Sequence, residues 1–147
     1  MDYEQLLSNA GEAGIFASPA EVALVAEASQ RLGLAVWRSS LQGIDSKAAL
    51  LERLNGDLPL PEYGASNWDA LDEALNDAVW EQSAGVVLLL THCGDLAQAA
   101  PEDFETALDV FDAVAESCYD EDIPFWVFIE GVDPSQFDLP VLGEEDD

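Results

Sequence analysis

Three carboxylates spaced by one helical turn, Asp69, Asp72 and Glu73, are the residues of this chain best placed to do chemistry. Positions i, i+3 and i+4 share one side of a helix, roughly 5–6 Å apart. Carboxylates so arranged can chelate Mg²⁺ or Ca²⁺, act as an acid–base pair, or present fixed negative charge to a cationic partner. The spacing of a Ca²⁺-binding loop is absent. Like charges at these separations destabilise an isolated helix by roughly 0.2–0.5 kcal/mol per pair. No lysine or arginine alternates with them as far as Asp77. A chain that keeps such a face is displaying its charge.

The second constellation is Thr91-His92-Cys93-Gly94-Asp95, which holds the one histidine. It follows an expected strand, and ligands of open α/β sheets bind beyond the carboxyl ends of strands. A Cys–His nucleophile pair needs converging side chains, whereas neighbours on an extended segment point apart. Two ligands are also too few for a zinc site. His92 therefore reads as an ordinary loop residue. Neither the dinucleotide nor the P-loop glycine pattern occurs, so nothing calls for a nucleotide or another cofactor.

The carboxylates need a helix to hold them. Pro59 and Pro61 stiffen the segment before it and push Leu58 and Leu60 toward extended backbone. Tyr63, Gly64 and Ala65 form a small tip, and Ser66 with Asp69 fits a capping box that opens the helix. Trp68, Leu71, Leu75 and Val79 recur at helical spacing and face a core. Before this stretch, residues 2–17 suggest a brief helix and a turn. Ser18-Pro19-Ala20-Glu21 then opens a helix that Gly33 ends. Leu34–Arg38 reads as a strand, and Ser46 caps a helix over Lys47–Leu54 that closes at Asn55-Gly56. After it, Gly85 introduces the apolar run Val86–Leu90, a strand buried on both faces. Pro101 starts the longest helix, to about Cys118, and Phe125–Ile129 is the last strand. Strands alternating with helices imply a parallel sheet. The expected fold is a small α/β domain, with a three-stranded parallel sheet packed by helices.

Composition narrows the partners. An apolar fraction of 49% over 147 residues supports a real core. The formal charge is −27, and the four basic residues, Arg31, Arg38, Lys47 and Arg53, precede Leu54. Of the 31 acidic residues, 24 lie after Arg53. Such a field repels nucleic acid and anionic membranes and attracts a strongly basic protein. No apolar run approaches the roughly 20 residues of a membrane span, and the acidic start lacks a signal peptide's basic region, so the expected location is cytoplasmic. Cys93 and Cys118 are expected reduced, Cys118 in a helix core.

The stretch Leu60-Pro61-Glu62-Tyr63, followed by Asn67-Trp68-Asp69-Ala70-Leu71, resembles the signature of the barstar family, intracellular inhibitors of barnase-type ribonucleases. It is also similar to larger bacterial barstar-like proteins, whose loop has an aromatic, two glycines, then Asn-Trp-Asp-Ala-Leu. The resemblance runs in order from about Val36 to Ile129. It implies a three-stranded parallel sheet and a loop and helix that plug the nuclease's cationic active site. By position, Tyr63 matches the family's contact tyrosine, Asp69 its first helix carboxylate and Glu73 its central aspartate. Asp72 stands where the founding inhibitor has tryptophan, and Glu102 is the nearest candidate for a glutamate at the later helix start. The partner-binding set is thus Tyr63, Gly64, Ala65, Asn67, Asp69, Asp72, Glu73 and Glu102. Residues 1–33 are read as a helical extension packed on the domain, 34–130 as the barstar-like domain, and 131–147 as an acidic tail. The expected function is inhibition of a basic ribonuclease or related toxin by a non-enzymatic protein. An acidic module for another basic protein and a divalent-metal carboxylate hydrolase are the alternatives.

Overall fold

A computed structural model describes residues 3–18, 22–82 and 84–140. In chain order the elements are α1 (Tyr3–Leu7), β1 (Ile15–Ala17), α2 (Val22–Arg31), β2 (Ala35–Ser40), α3 (Lys47–Asp57) and α4 (Trp68–Trp80). There follow β3 (Val86–Thr91), α5 (Gly94–Ala99), α6 (Pro101–Asp120) and β4 (Phe125–Ile129). The strands form one parallel sheet in the order β1-β4-β3-β2.

The fold class is α/β as expected, but the sheet has four strands rather than three. The additional strand, β1, lies where a brief helix and a turn were expected. It is three residues long, too short for a period of two to register in sequence. Its pairing of Ile15 with Val127 and Ala17 with Ile129 makes it a strand. The six-residue α5 also goes beyond the expected elements. The proposed helix opening at Ser18-Pro19-Ala20-Glu21 falls partly on residues outside those described.

Alternation along β3 and β4 explains the layers. Val86, Leu88, Leu90, Phe125, Val127 and Ile129 face a core closed by α3, α4, α5 and α6. Val87, Leu89, Trp126 and Phe128 face the opposite way, under Tyr3 and Leu7 of α1 and Val25, Ala26 and Ala28 of α2. A sheet buried on both faces needs unbroken apolar strands, which is what these runs are. Arg31 of α2 ties back to Glu4 of α1 at 3.0 Å and to Glu27 at 3.4 Å. Beyond β4, Val132 and Phe137 pack on the first core, Phe137 edge-on to Phe104 with ring centroids 4.8 Å apart. This part of the expected tail is therefore held against the domain. Among the described residues, no helix is long and apolar enough to cross a membrane.

Candidate functional site

Helix α4 starts one residue later than the proposed capping box requires. Asn67, not Ser66, is the N-cap: its backbone is extended and its Oδ1 accepts from Ala70 N at 2.7 Å. A side-chain amide at this position satisfies one of the amides left open at a helix start, an effect of about 1 kcal/mol. Asp69 is thus released from capping and stands exposed in the first turn, next to the positive end of the helix dipole. Leu71, Ala74, Leu75, Ala78 and Val79 are buried, which fixes the opposite side of the helix as the presented one. Trp68 packs partly against the core while Lys47 Nζ lies 5.2 Å from its ring centroid, a cation–π contact.

The loop ahead of α4 is clamped rather than loose. Asn55 Oδ1 accepts from Ala65 N at 2.8 Å and its Nδ2 donates to Ala65 O at 2.9 Å, so one amide side chain pairs with a backbone unit as a strand would. Helix α3 runs through Asn55-Gly56 to Asp57 instead of closing there, and this presents Asn55 to the loop. Gly64 has φ +65°, in the left-handed region, and a Cβ on it would lie 3.1 Å from Asn55 Oδ1. Backbone conformation favours glycine here, and any side chain would press on the clamping amide. Ala65 is 3% exposed, so its methyl belongs to the core and its backbone to the clamp.

This holds Tyr63 against α4. The ring is 55% exposed, and its hydroxyl donates a short hydrogen bond to Asp77 Oδ2. That bond, with the charges of Asp77 and Glu73 beside it, pushes the Tyr63 phenol up to about 12. A raised tyrosine pKa is the mark of a phenol held among anions. Asp72 is half-buried and partly engaged, because its Oδ1 accepts from Asn76 Nδ2 at 2.8 Å. Glu73 is exposed.

Of the proposed partner-binding residues, the structure brings together Tyr63 and Glu73, with Asp69 and Asp72 on the same helix. Gly64, Ala65 and Asn67 shape the loop and its junction with the helix. Glu102 stands exposed on the first turn of α6 and shares no hydrogen bond with the α4 carboxylates. Two residues outside the proposed set belong to the site. Asp77 could have been found from its i+4 spacing to Glu73. For Asn55 the sequence carries no signal except an Asn-Gly pair that reads more simply as a helix end.

The other constellation is structural. His92 has φ +56°, donates its backbone N–H to Glu130 Oε1 at 2.8 Å and places its ring 3.2 Å from Ser40 Oγ. Cys93 turns inward toward Leu90 O at 3.6 Å, and burial pushes its thiol up to about 12. The two side chains diverge, and this thiol is no nucleophile. Both cysteines are free and buried. Among the described residues, no three donor side chains gather where a metal ion could be held. A hollow of about 460 Å³ lies away from α4, lined by Val22, Arg38, Ser40, Leu89 and Thr91 among others. What α4 offers is an exposed face lined by Asp69, Glu73 and Asp77.

Comparison with known families matches residues 34–130 to the barstar family, described as the barnase inhibitor. No match is found among curated proteins. The matched segment spans β2 to the end of β4 and contains the clamped loop and the whole of α4, leaving α1, β1 and α2 outside it. The chain belongs to the barstar family.

Proposed function

We propose that this protein inhibits a basic ribonuclease of the barnase type, or a related toxin, in the cytoplasm, by seating the 59–67 loop and α4 over its active site. The observation that carries this is the exposed Tyr63, fixed to Asp77 beside Glu73 on a helix without a basic residue. An RNA-cleaving site must bind phosphate through cationic side chains. A carboxylate on a rigid helix offers a fixed anion there, and arginine forks bind carboxylates through two parallel hydrogen bonds. Glu73, Asp69 and Tyr63 make the contacts, Asp72 flanks them, and Gly64, Ala65 and Asn67 set the geometry. Glu102 is an outlying contact from α6. The formal charge of −27 steers the protein onto a basic target. The founding inhibitor of the family and its nuclease associate by the same steering.

In this role the protein is an immunity partner rather than an enzyme. The test is cleavage of a fluorogenic RNA by a purified barnase-type ribonuclease with increasing amounts of the protein. Stoichiometric loss of cleavage is expected. Unchanged cleavage with the protein in micromolar excess would refute the proposal.

A further inference from the structure

Trp80, the last residue of α4, stands 47% exposed, and with Tyr63 it is one of four large apolar side chains exposed among the described residues. Helical geometry puts it in line with the acidic stripe. At 100° per residue, Trp80 falls within about 20° of both Asp69 and Glu73 around the axis, and about 10 Å beyond Glu73 along it. Asp77 lies one turn before it. Two exposed aromatic rings, Tyr63 and Trp80, therefore flank the Glu73–Asp77 pair on one surface.

We infer that the partner-facing surface continues past Glu73 to Trp80, and that the indole face receives an arginine or lysine of the basic protein bound there. This rests on the proposed inhibition, because the occupant is taken from the same charge complementarity. Cations are drawn to the stripe by Asp69, Glu73 and Asp77, and indole is the best of the aromatic faces for them. Trp and Tyr paired with Arg are also the residue types that dominate interface energetics. The position lies seven residues beyond Glu73, outside the positions the family resemblance carries over.

The test is calorimetric binding of a barnase-type ribonuclease to the intact protein and to Trp80→Ala, Trp80→Leu and Trp80→Phe, with Glu73→Gln alongside and circular dichroism confirming each fold. Trp80→Ala is expected to weaken binding about tenfold or more. Trp80→Leu keeps apolar bulk without a π face and should match Trp80→Ala, while Trp80→Phe should recover part of the loss. If Glu73→Gln weakens binding and Trp80→Ala stays within about twofold of the parent, the Trp80 contact is wrong and the inhibitory surface stands. Full affinity in Trp80→Leu would overturn the cationic contact. No binding by the parent protein would remove both.

Discussion

Helices α4 and α6 pack against each other on the same core, and both present a wet face lined with carboxylates. On α6, Glu102, Glu105, Asp109, Asp112 and Glu116 are all exposed, and no side-chain hydrogen bond organises them. On α4, Asp72 is braced by Asn76, Asp77 is held by Tyr63, and a clamped loop sits over the helix start. The charge is similar, but the order differs. A diffuse acidic face raises encounter rates and keeps a protein soluble. Only fixed carboxylates with aromatic neighbours can meet the guanidinium groups of a binding cleft in one geometry. The difference between the two helices is one of order, which composition alone does not reveal.

The sharpest break of this comparison is Glu73→Gln. It should weaken the ribonuclease complex by about 2–5 kcal/mol, the range for removing one partner of a desolvated charge pair. Asp69→Asn should act in the same direction. Urea unfolding should stay within about 0.5 kcal/mol, since both residues are exposed. Parent-like affinity in both variants, measured by calorimetry, would mean that α4 is no different from α6.

Asn55→Ala comes next, because it removes order while leaving every charge in place. Two hydrogen bonds to Ala65 are lost and a partly buried backbone unit is left unpaired, so urea unfolding should show a loss of about 1–3 kcal/mol. Binding should weaken as well, since Tyr63 loses its support. Affinity unaffected by Asn55→Ala would show that charge suffices without the clamp.

Asp77→Asn tests the Tyr63 contact through pH. The folded pKa of about 12 exceeds the ordinary value near 10, so the contact contributes stability that is present below about pH 10 and lost as pH rises through 12. Ultraviolet titration of the folded protein should show one tyrosine ionising near 12. In Asp77→Asn that ionisation should move down toward 10. A titration unchanged by the substitution would separate Tyr63 from Asp77.

The smallest effect belongs to α6. Asp109→Asn and Asp112→Asn should change affinity by less than about 0.5 kcal/mol, all of it in the association rate and erased by salt. Stopped-flow association at several ionic strengths measures this. A loss that persists at high salt would bring α6 into the contact surface.

Much of the fold was legible because burial leaves a strong local pattern. Val86–Leu90 and Phe125–Ile129 are unbroken apolar runs, and Leu71, Leu75 and Val79 repeat at helical spacing. The starts and ends of elements were less legible. Ser66 and Asn67 can both cap a helix, and only the backbone decides which does; here Asn67 is extended and bonded to Ala70. Within the site, the acidic stripe and Tyr63 follow from residue type and spacing. Asp77's engagement and the Asn55 clamp do not, because each joins residues ten or more positions apart across a turn.

The sequence by itself therefore determined the α/β class, the parallel sheet, the capped acidic helix and the chain's own strong negative charge. These depend on local periodicity and net charge, which a linear chain carries openly. Tertiary structure alone decided that Ile15–Ala17 would add a fourth strand, since three residues gain strand geometry only from the edge of β4. It likewise decided which acidic helix has its carboxylates held by hydrogen bonds beside a clamped loop. Hydrogen bonds from Asn55 and Tyr63 become possible only once α3, the loop and α4 are packed together, and they turn a charged face into a shaped one.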